Sequence, residues 1–313
     1  MESVVIAGAG ALGSVYGGLL AVAGVDVVML AHGQHDEALR SGELEIRIPE
    51  QTHRVRVRVA DRAHGEAVIV TSRLFDTEDV LDRVDGAPLL AVSLQNGLRK
   101  NEALAQRFGA ECVAPAASML AAELVAPGVV ESVSLGRTLV GSGSPGAEEL
   151  VRLLDGAGIP AELVDDGNSA EWSKLAQVAA MMGVQATTRR FLHEVLLSDD
   201  GAKLFVRIFA EVAALADAEG VSIGDWPGML PVLTLVNSGP DEAAALLRRQ
   251  GEQMLAHGAT TRRTSMLQAA EAGRRTELDG IHGELVRRGE ALGVPLPTVE
   301  ACLRLARLSG VAS

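Results

Sequence analysis

The sequence predicts an α/β protein, with an N-terminal Rossmann-type doubly wound sheet followed by an all-helical C-terminal domain. Three observations predict it. Short apolar runs alternate with helical patterns through the first half, as in a chain of βαβ units. Gly8-Ala9-Gly10-Ala11-Leu12-Gly13 stands between the first apolar run and the first helical pattern. Beyond Asn168 the pattern changes to long helices, and no strand-like alternation remains.

In order along the chain, Val4–Ala7 is expected as a strand, Leu12–Ala23 as a helix and Val25–Leu30 as a second strand. Gln34–Ser41 makes a short helix. Leu44–Ile48 and Arg54–Val59 alternate with period two, which fits a hairpin around Pro49. Ala67–Thr71 and Leu89–Leu94 are continuous apolar runs, the pattern of parallel strands covered on both faces. Strands near Val113, Val129–Val133 and Thr138–Val140 follow. The loop from Gly141 to Gly146 is taken as a turn rather than a linker, because the strand-like Ala161–Val164 comes after it and is assigned to the same sheet. The boundary is therefore set at Asp165-Asp166-Gly167-Asn168, dividing the chain into 1–167 and 168–313. Helices are expected over Ser169–Arg189, Asp200–Glu219, Asp241–Ala256, Ser265–Glu290 and Val299–Leu308.

Composition narrows the possible functions. A chain of 313 residues with 48% apolar content is long enough for two domains with their own cores. A formal charge of −13 argues against nucleic acid or an anionic membrane as partner, since both need a basic face. Cys112 and Cys302 lie far apart in no metal-ligand spacing, which fits free thiols in a reducing cytoplasm. The uncharged stretch Val4–Val25 is interrupted by six glycines and preceded by no basic segment, so it reads as strand and helix, not as a signal peptide or span. Scattered histidines offer no metal site, and no serine or cysteine sits in a nucleophile motif.

Each glycine of the first motif has a steric reason. Gly8 permits the turn out of the strand, Gly10 lets the backbone approach a pyrophosphate, and Gly13 lets helix and strand pack closely. The phosphates would sit over the positive helix end near Ala11. An acidic residue closing the second strand would bind the ribose 2′-hydroxyl of NAD. Leu30-Ala31-His32-Gly33 offers none, and Asp26 comes too early. His32 and Arg73 would instead face a 2′-phosphate, which favours NADP. A solvated loop role for both stays open.

Lys174 and Glu277 are ionisable residues in largely apolar segments, far apart in sequence. A dinucleotide loop with such a pair suggests hydride transfer with a lysine as proton donor. Gly8–Gly13, Gln95-Asn96-Gly97, Glu171-Trp172-Ser173-Lys174-Leu175, and Ser265-Met266-Leu267-Gln268 leading to Thr276-Glu277-Leu278-Asp279 occur in one order and spacing. In this the chain resembles the ketopantoate reductase family, which reduces 2-dehydropantoate with NADPH. Pro127-Gly128-Val129-Val130 and Gly293-Val294-Pro295 share the resemblance, which covers nearly the whole chain.

The resemblance implies that Lys174 protonates the carbonyl oxygen while Glu277 meets both lysine and cofactor. It further implies that Asn96 touches the nicotinamide end or the substrate oxygen, that Ser265 holds the substrate carboxylate and that Ala122 joins the cofactor contacts. Residue chemistry leaves plainer roles open. Lys174 would be a snorkelling helix residue, Glu277 an exposed helix charge beside Arg274 and Arg275, and Asn96 part of an Asn-Gly turn. Ser265 with Gln268 would form a capping box.

The chain also departs from the family pattern. Where the family carries asparagines four and eight residues after its lysine, this chain has Val178 and Met182, on the same helix face. Arg262, His282 and His32 replace two further asparagines and a phosphate-binding arginine. An unpaired substrate hydroxyl costs about 1–3 kcal/mol, so the expected substrate is a small 2-oxo acid or ketone more apolar or bulkier than ketopantoate. Arg262 is a candidate carboxylate clamp, and Gln177 a candidate replacement amide. Two other functions remain open at this stage: a non-catalytic NADP(H)-binding redox sensor and an NAD-dependent hydroxyacid dehydrogenase. A helical second domain allows a homodimer without requiring one.

Overall fold

The computed structural model describes residues 1–258 and 264–311. They form two compact units, Met1–Asn168 and Ser169–Ser313. The first runs β1 (Ser3–Ala7), α1 (Ala11–Val22), β2 (Asp26–Leu30), α2 (Gly33–Ser41), β3 (Leu44–Ile48), β4 (Gln51–Val55), β5 (Arg58–Val59) and β6 (Ala67–Val70). It continues with α3 (Thr77–Leu81), β7 (Leu90–Ser93), α4 (Lys100–Phe108), β8 (Val113–Ala114), β9 (Ala116–Ser118) and β10 (Ala121–Ala126). Then come β11 (Val129–Ser134), β12 (Thr138–Gly141), α5 (Ala147–Gly156) and β13 (Ala161–Val164).

The doubly wound sheet is six-stranded and wholly parallel, in the order β5-β2-β1-β6-β7-β8. Side chains alternate faces along a strand. Val4, Ile6, Ala67 and Ile69 therefore join one core with α1 and α5, while Val5, Ala7, Val68 and Val70 join the other with α3 and α4. The order reverses direction between β1 and β6, the place where open α/β sheets leave a crevice at their carboxyl edge.

Two smaller sheets were not foreseen as separate. β10-β11-β3-β4 form a four-stranded sheet that includes the expected hairpin. α1 packs against it as well as against the parallel sheet, so the helix is buried from Gly13 to Leu20. This double burial accounts for the charge-free stretch Val4–Val25. β13-β12-β9 form a three-stranded sheet, so Ala161–Val164 is a strand but not of the parallel sheet. The break falls at Pro115, between β8 and β9. It has no N–H for a ladder, and its carbonyl accepts from Gly141 N–H at 2.8 Å.

The second unit has helices and no strand among its described residues: α6 (Gly167–Thr188, opening at the boundary), α7 (Leu192–Leu197), α8 (Asp199–Ala218), α9 (Val232–Asn237), α10 (Pro240–Ala256), α11 (Ser265–Glu271), α12 (Glu284–Leu292) and α13 (Pro297–Leu308). α8 supplies the central buried face, with Phe205 and Phe209 edge to face at 5.9 Å. Glu211 on α8 accepts from the backbone N–H groups of Thr298 and Val299, capping α13 from a distance. The long helix expected over Ser265–Glu290 is broken. Gly273, at φ +62°, ends α11, with Arg274 N–H closing back on Ala269 O at 2.8 Å. The chain then runs without helix to Glu277 and resumes through a π-helical turn, Asp279–Gly283.

The chain's single tyrosine ties two layers together. Tyr16 on α1 is fully buried, and its hydroxyl donates to Ser118 Oγ on β9 at 2.7 Å and meets Thr138 Oγ1 on β12. Burial pushes the phenol up to about 12, with both hydroxyl bonds opposing the shift. Tyr16→Phe would strand two buried hydroxyls and should cost about 1–3 kcal/mol in urea unfolding. In the native protein an ultraviolet titration should show tyrosinate only near pH 12, and stability should fall as pH rises from 10 towards that value. Tyrosinate appearing at pH 10 in folded protein would contradict this burial.

Candidate functional site

The loop after β1 is crowded below and open above. Gly8 has φ +103°, and a Cβ there would lie 2.5–2.7 Å from Ser72. A Cβ on Gly13 would meet Gly8 O and Thr71 Oγ1 at 2.5 Å and Ile6 at 2.9 Å. Both glycines are therefore fixed by the protein's own packing. Gly10 differs. Its φ of −83° suits any residue, and no atom lies within 4 Å of where its Cβ would be. Nothing in the fold requires glycine at that position, whereas a ligand resting on the backbone would. Ala9, Ala11 and Leu12 complete the loop, with Ala9 N–H held by Leu30 O at 2.9 Å.

His32, Arg73 and Asn96 follow the carboxyl ends of β2, β6 and β7. With the Gly8–Gly13 loop they thus occupy four neighbouring strand ends on one edge of the parallel sheet. His32 is exposed and stands at the N-cap position of α2; Arg73 and Asn96 are half-buried. Asn96 precedes Gly97, whose φ of +112° shows that turn chemistry also shapes this loop. Ala122, on β10, packs partly buried against the core that contains α1.

Gln95, quoted in the sequence only beside Asn96, sews this edge together. Its Nε2 donates towards Ser72 O, Ser72 Oγ, Arg73 O and Thr77 Oγ1 at 2.8–3.2 Å, while its Oε1 accepts from Ser93 Oγ at 3.0 Å. Lys100, also buried, donates to Ser93 O at 2.7 Å and Ala116 O at 2.6 Å, closing the seam where the chain leaves the parallel sheet.

In the second unit α6 carries Lys174, half-buried, with Val178 half-buried and Met182 buried one and two turns on. Ser173 Oγ donates to Ser169 O at 2.8 Å and accepts from Gly224 N–H at 2.9 Å. Gln177 Oε1 accepts from Leu230 N–H at 3.0 Å. Its amide oxygen thus holds a loop.

Gln185, fully buried, accepts from Thr264 N–H at 3.1 Å. Thr264, not Ser265, caps α11, taking Leu267 N–H on its hydroxyl at 3.3 Å. Ser265 is the first helical residue, so the capping box expected of it is not formed. Glu277 is 7% exposed and lies ahead of the π turn, so the exposed-helix alternative does not apply. One turn beyond, His282 donates from Nε2 to Ala179 O of α6 at 2.9 Å. The segments bearing Ser265 and Glu277 are both bound to the helix of Lys174. Arg262 lies outside the described residues. Among the described residues no three His, Cys, Asp or Glu side chains cluster to hold a metal ion, and no helix is long and apolar enough to cross a membrane.

Comparison with known proteins gives this arrangement a family. Residues 4–145 match the family described as ketopantoate reductase PanE/ApbA, and residues 166–309 match its C-terminal counterpart. The chain belongs to the ketopantoate reductase family. The 2-dehydropantoate 2-reductase of Archaeoglobus fulgidus is 31% identical over 98% of this chain and 97% of its own length. A ketopantoate reductase family structure from Ralstonia eutropha JMP134 superposes with TM-score 0.81 at 28% identity, covering 98% of this chain and 97% of its own. D-mandelate dehydrogenase, solved with NADH and anilino(oxo)acetate, has TM-score 0.82 at 18% identity over 98% of both chains, a likeness of fold alone.

Membership in the ketopantoate reductase family makes the chain an oxidoreductase by descent and fixes the fold class expected from sequence. Sequence reasoning missed the residues that brace the family's motifs here: Gln95, Lys100, Gln185 and the tie made by His282. The glutamines carried the only available signal, as uncharged polar residues in apolar runs.

His282 also gives this chain an acid limit. Burial pushes its imidazole down to about 4, opposed by the bond to Ala179 O. In the unfolded chain the ring takes a proton below about 6.5, whereas folded it stays neutral to about 4. Stability is then full above 6.5 and should fall by about 3 kcal/mol as pH drops through that interval. Urea midpoints between pH 7 and 4 check this; His282→Gln should flatten the slope, and an unchanged slope would count against a neutral His282.

Proposed function

We propose that this chain reduces a 2-oxo acid or related ketone to the hydroxy compound with NADPH, as an oxidoreductase acting on CH–OH groups. In this reading Lys174 is the proton donor, and the substrate is more apolar or bulkier than ketopantoate. The observation that carries the reading is the binding of two distant segments, those of Ser265 and Glu277, to the one helix that bears Lys174. A non-catalytic nucleotide binder has no need of that arrangement.

The chain fits the cofactor. Gly8 and Gly13 let the loop fold, Gly10 leaves its backbone clear for a pyrophosphate, and the absence of a carboxylate at Ala31-His32 favours a 2′-phosphate over a free ribose hydroxyl. The residues that would hold NADPH are the backbone from Gly8 to Gly13 with His32, Arg73, Asn96, Ala122 and Glu277. Bound there, NADPH supplies the hydride for the carbonyl carbon. The Lys174 ammonium stabilises charge developing on the carbonyl oxygen and passes it a proton. Glu277 orients that ammonium, Asn96 orients the reacting carbonyl, and Ser265 and Arg262 receive the substrate carboxylate. Val178 offers its methyl groups one turn from the lysine to an apolar substituent, and Met182, buried a further turn on, backs it.

Activity on a panel of 2-oxo acids and ketones with NADPH and NADH tests this. NADPH should be preferred, and kcat/KM should be higher for branched or aromatic 2-oxo acids than for ketopantoate. Efficient turnover of ketopantoate alone would refute the altered substrate. Lys174→Ala should bind NADPH as wild type does and lose turnover by about 10²–10⁴-fold; retained turnover would remove the lysine from the mechanism.

A pair of loop variants separates cofactor contact from folding. Gly10→Ala should cost the fold no more than about 1 kcal/mol, as a poorer helix cap, yet weaken NADPH binding at least about tenfold. Gly13→Ala should lower the melting temperature outright, because its methyl collides with backbone. Equal NADPH affinity in Gly10→Ala and wild type would count against a pyrophosphate over that residue.

A further inference from the structure

We propose that His35, in its neutral form, is a positioning residue of the dinucleotide site, locking the first turn of α1 to α2 and to the β10–β11 turn. This rests on the cofactor reading above. His35 Nε2 lies 2.9 Å from Ser14 Oγ, and Gly128 N–H donates to His35 Nδ1 at 3.0 Å. A backbone N–H can only donate, so Nδ1 carries the lone pair and Nε2–H donates to the serine. The ring is buried, and both its nitrogens are used.

The three pieces it joins each carry cofactor candidates. Ser14 directly follows Gly13 of the phosphate loop, and its N–H closes on Gly10 O at 2.9 Å. His32 lies one turn ahead of His35, at the start of α2. Gly128 is in the turn of the hairpin whose first strand bears Ala122. His35 thus fixes the separation between the pyrophosphate loop and the position read as facing the 2′-phosphate.

The bridge exists in one protonation state. A proton on Nδ1 would set donor against donor at Gly128. Burial lowers the His35 pKa below its ordinary 6.5, and nearby His32 lowers it further, while Asp36 opposes. The Asp36 carboxylate is itself bound by Arg40. α1 brings no charge, and neither does the Pro127–Gly128 turn. Glu45 of β3, whose N–H donates to Gly128 O at 2.9 Å, has its carboxylate held by Arg47 and Arg54. Of these carboxylates only that of Asp36 favours the imidazolium, and burial outweighs it.

The test is NADPH affinity, read by cofactor fluorescence from about pH 8 to about pH 5, for wild type, H35Q and H35L. Glutamine accepts from Gly128, donates to Ser14 and does not titrate. H35Q should match wild type near pH 7.5 within about threefold, but lack the part of the wild-type weakening on acidification that comes from His35. H35L, which strands two buried partners, should bind about tenfold more weakly throughout, with kcat at saturating NADPH within about twofold of wild type. Should H35L fail to fold, the H35Q comparison decides alone. Superimposable pH profiles for H35Q and wild type, or wild-type affinity in H35L, would overturn the assignment. Wild-type protein that binds neither NADPH nor NADH at any pH would overturn the cofactor reading itself, and the role of His35 with it.

Discussion

Backbone crowding at the end of β1 is the constraint on which the first unit depends. Gly8 and Ser72 approach so closely that a methyl group cannot enter between them, and Gly13 presses against the same turn. Contact of this kind brings the carboxyl ends of β1 and β6 together at the point where the sheet reverses its winding. Thr71 reinforces it, donating its hydroxyl to Gly8 O at 2.8 Å. The surface above the loop is clear because the packing lies below it. Tight packing under an open backbone lets a phosphate sit on main-chain N–H groups without a side chain in the way.

The same division between bracing and open surface extends along the sheet edge. Gln95 binds the Ser72–Arg73 loop and Thr77 through its amide nitrogen and Ser93 of the preceding strand through its oxygen, which braces the loop that carries the half-buried Asn96. Holding a reacting group within a fraction of an ångström is worth more to a reaction than an additional contact to substrate. Several buried polar side chains are engaged in that way with partners distant in sequence, among them Ser14 with His35 and Gln185 with Thr264.

Much of the architecture was legible because it follows from periodicity. Val4–Ala7 and Ala67–Val70 are apolar throughout and Leu90–Ser93 is apolar up to its last residue, as expected of strands covered on both faces, and each appeared at its expected place. The division into three sheets was not legible. It depends on pairings such as Glu45 with Val129, which no local pattern encodes, and on Pro115 interrupting a ladder. The break in the helix after Ser265 had a visible cause in Gly273, but apolar spacing on both sides hid it. Thr264 and Ser265 are equally good caps, and only the bond from Leu267 N–H tells them apart. His35 and Gln185 look like ordinary polar residues until their partners, 93 and 79 positions away, are in place. The motif residues stood out because their chemistry is local, whereas the residues that aim them act through tertiary contacts.

α6 separates the residues that anchor it from those the proposal assigns to the substrate. Residues four apart on a helix form a row, and the next row begins one residue on, about a hundred degrees round. Ser173 and Gln177 belong to one row, Gln185 lies three turns beyond Lys174, and each of the three is bound to the backbone of another segment. Lys174, Val178 and Met182 form the adjacent row. Side chains in the first row fix where the helix lies, so an asparagine in the second can give way to valine or methionine without loosening those ties. A change in the anchoring row would strand a half-buried backbone N–H and cost about 1 kcal/mol. A change in the lysine row is limited mainly by the volume it must fill. If the proposed roles hold, substrate preference can shift by replacing residues in the lysine row while the lysine and the anchoring residues stay in place.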